Sequence, residues 1–172
     1  TVSMHIGSSS SMPSTSPDAP LAVSMSLNAQ NAQGSLADFI WSRTLERFPT
    51  LTLAYAESQV GWMPFQFERM DGVWHEGVGG VDLPDPPSSY VGDRVFGCIF
   101  DDLHGLKSRD EIGMGQIVFE VDYPHPNGSW PNSRAVAHRL AEAAGLDEDE
   151  SRMLVRANAI RAYGLERFGV VA

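Results

Sequence analysis

One acidic residue occupies the position in this sequence that is best suited to chemistry. The strand-like run that begins at Ile117 ends on Asp122, and the next residues are Tyr-Pro-His-Pro, followed by a Gly-Ser turn. A carboxylate placed where a buried strand opens into a loop is costly unless a cation or hydrogen-bond donors receive it. We therefore take Asp122 as the first candidate for a catalytic residue.

Three other apolar runs end in the same way on polar or ionisable side chains. His5 ends the first run, Glu57 follows the run Leu51–Ala56, and Asp101 with Asp102 follows the third. In parallel α/β architectures the active site lies at the carboxyl ends of the strands. We expect these side chains to share one site with Asp122.

The elements that must position these residues alternate along the chain. Apolar strands are separated by helices, which we expect to begin near Ser35, Pro64, Ser133 and Asp147. Strands that are apolar throughout and joined by helices indicate a parallel sheet covered by helices. No glycine-rich phosphate loop follows any strand, which disfavours a dinucleotide-binding or P-loop protein.

The chain is expected to form a single partial domain over residues 1–172. Two loops interrupt it, a Ser/Pro-rich segment at 7–34 and a Gly/Pro-rich segment at 76–89. Part of the first, LAVSMSLNAQNA, has helical character. The sequence lacks an initiator Met and already reads as a strand at its start, so we expect a fragment of a longer protein.

Composition narrows the class of protein. A net charge of -10 leaves no basic stripe for nucleic acid. No apolar run approaches the roughly 20 residues that span a bilayer, and no signal peptide is recognisable. The single cysteine, Cys98, lies in an apolar run and indicates a buried thiol in a reducing compartment. We expect a cytoplasmic protein that binds neither nucleic acid nor membrane.

Five segments spread over almost the whole chain carry a resemblance to a known family. They are MHIGSSS, LERFPTLTLAYAESQVGWMPFQFERMD, VFGCIFDDLHGLKSRDEIG, IVFEVDYPHPNGSWPNSR and RANAIRAYGL. These segments resemble the amidohydrolase-related family of metal-dependent hydrolases and decarboxylases, which includes aminocarboxymuconate-semialdehyde decarboxylase. That resemblance implies the carboxyl-terminal half, strands five to eight, of a (β/α)₈ TIM-type barrel.

The resemblance also implies a metal. Such families bind one divalent metal, usually zinc, through a His-x-His pair on strand one, a His on strand five and an Asp on strand eight. Mapped onto this sequence, the strand-five and strand-eight ligands are His5 and Asp122, and no His-x-His occurs in these residues. A catalytic zinc needs about three protein ligands. The remaining ligands are therefore expected outside this chain.

Other residues take candidate roles from their positions. Glu57 stands near the place where family decarboxylases carry a His at the end of strand six. A carboxylate there can act as a base or hydrogen-bond a substrate hydroxyl, but it cannot imitate a protonated imidazole, so hydrolysis and other lyase reactions stay open. His125 is a candidate for substrate contact or for supporting the metal site, and otherwise a rim histidine. Asp102 and His104 either line the pocket or belong to a solvated loop.

The expected function is that of a metal-dependent hydrolase or carboxy-lyase acting on a small carboxylated or aromatic substrate. One alternative is a non-catalytic half barrel, whose open sheet edges and uncovered apolar interior would favour homo-oligomers. Another is a hydrolase that uses only carboxylates, with Asp101 or Asp102 and Asp122 as acid and base.

Overall fold

A four-stranded sheet organises the chain. The computed structural model describes residues 1–6 and 11–171. The strands are β1 (Val2–His5), β2 (Leu53–Ala56), β3 (Val95–Ile99) and β4 (Ile117–Phe119). They lie in the order β1-β2-β3-β4, and each neighbouring pair is parallel. All four carboxyl ends therefore meet at one edge of the sheet, as the sequence predicted for an α/β protein.

Helices connect the strands and cover the sheet. Short 3₁₀ helices occur at Pro87–Tyr90, Gly92–Arg94, Met114–Gln116 and Leu165–Phe168, and a π-helical turn spans Met153–Ala157. The α-helices are α1 (Leu21–Leu27), α2 (Gln30–Trp41), α3 (Thr44–Arg47), α4 (Met63–His75), α5 (Leu103–Lys107), α6 (Arg109–Ile112), α7 (Ser133–Ala144), α8 (Glu148–Arg152) and α9 (Asn158–Tyr163). In the described residues, no helix combines the length and the hydrophobicity needed to cross a bilayer.

Two apolar clusters lie between one face of the sheet and the helices. The first packs Leu53, Tyr55 and Val95 against α2 and α4. The second packs Ile99 and Ile117 against α5, α6 and α7. Alternation along each strand directs these side chains to the same face, which fixes the register of the sheet against its helices.

The opposite face is covered by the end of the chain. Its apolar side chains pack against α9 and are at most 5% exposed. We expected an isolated half barrel to leave its apolar interior uncovered. At these positions that expectation is wrong, because α9 covers this face of the sheet. The covered side chains are Ala54, Phe96, Cys98 and Val118.

Hydrogen bonds tie α9 to the sheet. The side-chain amide of Asn158, which is 2% exposed, donates to the carbonyls of Met114 and Ile117, each at 2.8 Å. These bonds satisfy the Met114 carbonyl, which precedes β4, and the Ile117 carbonyl at the start of β4. Asn158 therefore has a structural role.

Helix forms in the second half of the expected 7–34 loop, over the stretch LAVSMSLNAQNA, for which the sequence indicates helical character. Residues 7–10 lie outside the described part of the chain, but α1 and the first residues of α2 fall within this segment. Ser35 lies inside α2 and caps nothing, and its hydroxyl is 3.3 Å from that of Tyr55. The helix begins earlier than predicted because alanine and glutamine, both good helix formers, precede Ser35.

Two helix boundaries in the second half of the chain follow local sequence signals. Gly145 ends α7 in the left-handed conformation, at φ 68°. Asp147 caps α8 by accepting from the backbone of Glu150, whose side chain accepts from the Asp147 backbone in return. Both devices satisfy backbone groups that a helix end leaves unpaired.

Candidate metal centre

The loops after β2 and β4 carry the two residues predicted to be catalytic. Glu57 follows β2 directly, whereas Asp122 lies three residues beyond β4, which is shorter than the predicted strand. Both have left-handed backbone conformations, with φ of 57° for Glu57 and 53° for Asp122. For a residue with a side chain this conformation costs roughly 1 kcal/mol, and it is concentrated at functional sites. Surrounding contacts must therefore hold both residues in place.

A tight turn brings His125 back onto Asp122. The His125 amide donates to the Asp122 carbonyl at 2.8 Å, and the Ser129 amide donates to the Val121 carbonyl at 3.0 Å. A Cβ on Gly128 would lie 2.6 Å from both of these carbonyl oxygens, so only glycine fits this close approach. Within the turn, His125 Nδ1 lies 2.9 Å from Asp122 Oδ2.

Three side chains converge at this point. One ligand atom each from Glu57, Asp122 and His125 lies within 4.8 Å of the other two. Two carboxylate oxygens and an imidazole nitrogen form a donor set that suits zinc and other divalent first-row metals. Asp122 is thus beside Glu57 and His125, residues that the sequence suggested for a base and for substrate contact.

His5 reaches the site through Glu57. Its Nε2 lies 2.8 Å from Glu57 Oε1, and its Nδ1 lies 2.5 Å from the carbonyl oxygen of Ile6. The contacts with the Ile6 carbonyl and the Glu57 carboxylate raise the pKa of His5. The metal-ligand role predicted for His5 stays a prediction.

Glu120 is a site residue that the sequence interpretation missed. It is half-buried, and its Oε1 accepts a hydrogen bond of 2.7 Å from the backbone amide of Glu57. Burial raises the pKa of the Glu120 carboxyl to about 7, and the nearby carboxylates of Glu57 and Asp122 act in the same direction. The sequence did carry a signal for Glu120. It is a charged residue two positions after Val118, and alternation along an extended chain places both side chains on the same face.

The charge of the site favours a bound cation. The carboxyl groups of Glu57, Glu120 and Asp122 interact electrostatically, and like charges at this range disfavour one another. A divalent metal ion would offset that repulsion and supply a partner for Asp122. The residues that converge here therefore fit the metal that the resemblance implies.

Asp102 has a different use. One of its carboxylate oxygens accepts from the amides of Val60 and Gly61 at 2.7 and 2.8 Å, and the other accepts from Gly105 at 2.8 Å. It therefore caps α5 and ties that helix to the loop before α4. We interpret Asp102 as a positioning residue, since its carboxylate is occupied by backbone donors. The substrate contact predicted for it is untested.

Asp101 and His104 lie near Asp102 on the surface. Asp101 forms an ion pair of 3.1 Å with Arg139, and both side chains are more than half exposed. His104 lies on α5 beside Gly61, where its Cδ2 would be 3.0 Å from a Cβ on that glycine. The contacts described for these residues do not bring them to Asp122, and the substrate role predicted for His104 is likewise untested.

A cavity of about 380 Å³ opens beside His5, Glu57 and His125. This volume lies within the range of small-molecule sites. The other side chains that line it are apolar or neutral amides, contributed in part by the segment around α1. They are Ile6, Met12, Met25, Asn28, Phe100, Pro126 and Asn127.

One protein family matches this sequence over nearly its whole length. The profile of the family described as Amidohydrolase matches residues 1–165. This match confirms the resemblance that the five sequence segments carry. A search of curated proteins finds no significant match.

Solved structures give the same fold at low sequence identity. An amidohydrolase from Mycobacterium avium subsp. paratuberculosis K-10 superposes with a TM-score of 0.69 at 20% identity, over 82% of this chain and 35% of its own. The 5-carboxyvanillate decarboxylase from Sphingomonas paucimobilis superposes with a TM-score of 0.63 at 22% identity, over 89% of this chain and 47% of its own. These likenesses confirm the expected fold, an α/β sheet that forms part of a (β/α)₈ barrel, and the chain spans less than half of either structure.

Proposed function

This chain belongs to the amidohydrolase family, and on that premise we propose that it is part of a metal-dependent hydrolase or carboxy-lyase. The observation that carries the proposal is the convergence of Glu57, Asp122 and His125 at the carboxyl ends of the strands. This is the edge of the sheet at which parallel α/β enzymes place their active sites. The family match supports the class of enzyme, and the geometry supports the location that we propose for its site.

One divalent metal, zinc in our proposal, would be held at Asp122. His5 is the second ligand that the family pattern implies, and Glu57 and His125 are the further donors that lie beside Asp122. When bound, the metal would activate a water molecule or polarise the substrate. The 2.9 Å contact between His125 and Asp122 orients the aspartate carboxylate toward the cluster.

Glu57 is the residue we propose to move a proton. Its side chain is 14% exposed and lies at the cavity, where a carboxylate can accept a proton from a substrate or from water. It cannot act as a protonated imidazole would. The proposal therefore leaves both hydrolysis and decarboxylation as reactions of this site.

The proposed substrate is small, with a carboxylated or aromatic body. Met12, Met25 and Phe100 give the cavity an apolar wall, and Asn28 with Asn127 supplies neutral hydrogen-bonding groups. Such a lining favours an apolar body with few polar substituents. We propose that the polar or carboxylate end of the substrate faces His5, Glu57 and His125.

A mechanism that uses only carboxylates has less support. It requires Asp101 or Asp102 to work with Asp122, but Asp101 pairs with Arg139 and Asp102 accepts three backbone hydrogen bonds.

The alternative of a non-catalytic interaction module is supported by the two edges of the sheet. These edges, β1 and β4, have no further strand partner within the described residues. Homo-oligomerisation and a cytoplasmic location remain predictions.

A chelation experiment tests the proposed function. Purified protein is assayed for ester, amide and lactone hydrolysis and for release of carbon dioxide from aromatic carboxylates, before and after removal of metal. We expect activity to be lost on chelation, restored by zinc, and absent from Asp122→Ala but retained by the surface variant Asp101→Ala. Activity that survives complete metal removal would exclude a metal-dependent enzyme.

A further inference from the structure

We propose that Glu120 is a positioning residue that holds Glu57 in place at the strand-end site. The proposal rests on the proposed function, because it assigns Glu120 a role in assembling the metal centre. It adds a residue that neither the family resemblance nor the expected ligand set includes. The evidence is the hydrogen bond from the Glu57 amide to the Glu120 carboxylate, 2.7 Å long.

This hydrogen bond joins two strands that are not neighbours. Glu57 follows β2 and Glu120 follows β4, with β3 between them in the sheet. The Glu120 amide donates to the carbonyl of Ile99 at 2.8 Å, which extends the β3–β4 pairing by one residue. The backbone of Glu120 is thus fixed to β3, and its side chain reaches across that strand to the Glu57 backbone.

The hydrogen bond to Glu120 comes from a backbone segment with unfavourable dihedral angles. Glu57 and Gln59 both adopt the left-handed conformation, with φ of 57° and 53°. The Gln59 amide is held by the Cys98 carbonyl at 3.2 Å, and the Ser58 hydroxyl donates to the Tyr55 carbonyl at 3.1 Å. The Glu57 amide donates to Glu120 Oε1, its hydrogen-bond acceptor among the described residues. Without that acceptor, the amide that begins this turn would lose its partner.

A carboxyl group at position 120 is electrostatically unfavourable, which calls for a compensating role. Glu120 places a third carboxyl group close to those of Glu57 and Asp122, where like charges disfavour one another. A half-buried carboxyl is also costly compared with an apolar side chain of similar size. The hydrogen bond to Glu57 offsets only part of that cost. The benefit lies in fixing Glu57, whose Oε1 reaches His5 at 2.8 Å and whose carboxylate joins Asp122 and His125.

Two substitutions separate the hydrogen bond from the charge. Glu120→Gln keeps a carbonyl acceptor for the Glu57 amide and removes the ionisable group, whereas Glu120→Leu removes the acceptor and fills similar volume. Hydrogen exchange of the Glu57 amide is measured by NMR in metal-free protein. We expect protection in the wild type and in Glu120→Gln, and faster exchange in Glu120→Leu. Equal exchange in all three proteins would overturn the proposal.

Zinc affinity gives the second readout. We expect Glu120→Leu to bind zinc about tenfold or more weakly, as is typical when a partner of a metal-site residue is removed. Glu120→Gln should retain most of the affinity. In a Glu57→Ala background the loss caused by Glu120→Leu should largely disappear, because Glu120 acts through Glu57. A loss of the same size in that background would contradict the proposed route.

The two readouts also separate the two proposals. Wild-type protein that binds no zinc would contradict the proposed function, and the exchange of the Glu57 amide would still show whether Glu120 holds that residue. Wild-type protein that binds zinc and loses no affinity in Glu120→Leu would contradict the role of Glu120 alone. Far-UV circular dichroism of each variant shows that the fold is retained.

Discussion

Acidic residues at the strand ends divide into two groups with different surroundings. Glu57 and Asp122 have left-handed backbones and direct their carboxylates toward His125 and one another. Asp102 accepts three backbone hydrogen bonds, and Asp101 forms an exposed ion pair with Arg139. Both groups carry carboxylates just beyond the end of a strand, so their roles follow from the partners that surround each carboxylate.

Asp102 gives a stability prediction at this scale. In Asp102→Ala the amides of Val60, Gly61 and Gly105 lose their acceptor, and an unpaired buried donor costs about 1–3 kcal/mol. We expect the unfolding free energy, measured with urea, to fall by about 2 kcal/mol or more. The matched control Asp101→Ala removes an exposed ion pair and should change it by less than about 1 kcal/mol. Equal effects of the two substitutions would contradict the assigned difference.

At the scale of elements, close packing around β3 limits which side chains its middle can carry. A Cβ on Gly97 would overlap the Val60 side chain and lie 2.8 Å from the terminal methyl of Met63. The loop and helix that follow β2 therefore approach the strand more closely than a side chain allows. This packing sets the position of the turn that carries Glu57.

A pair of glycine substitutions tests this packing. Gly97→Ala should lower the unfolding free energy by about 1–3 kcal/mol, as overpacked cores do. Gly34→Ala, at an exposed position inside α2 where a Cβ meets nothing within 4 Å, should raise it by about 0.5–1 kcal/mol, because alanine favours helix. Thermal unfolding of both variants checks the opposite signs. Stabilisation by Gly97→Ala would contradict the close approach.

Local signals made many elements predictable, and long-range contacts made the site harder to predict. The helix ends at Gly145 and Asp147 depend on residues only a few positions apart, so their sequence carries the information. The start of α2 was misplaced because Ser35 offers a capping pattern that the tertiary structure does not use. Glu120 was missed because its partner, Glu57, is 63 positions away in sequence. Only the order and register of the strands bring such pairs together.

At the scale of the whole molecule, the chain forms part of a barrel and still contains several donors at one site. The family pattern supplied only His5 and Asp122 as ligands, which left the site short of the three that a catalytic zinc requires. The structure adds Glu57 and His125 beside Asp122. We therefore propose that the chain can bind a metal with its own residues.

Metal content measured with and without Asp122 is the most direct test of this conclusion. Protein and its variants are equilibrated with zinc, separated from free metal and analysed by mass spectrometry, and the dissociation constant is measured by competition with a chelator. We expect about one zinc per chain in the wild type and in Asp101→Ala, and binding weakened by about tenfold or more in Asp122→Ala. Zinc bound as tightly by Asp122→Ala as by the wild type would contradict the assignment of this site.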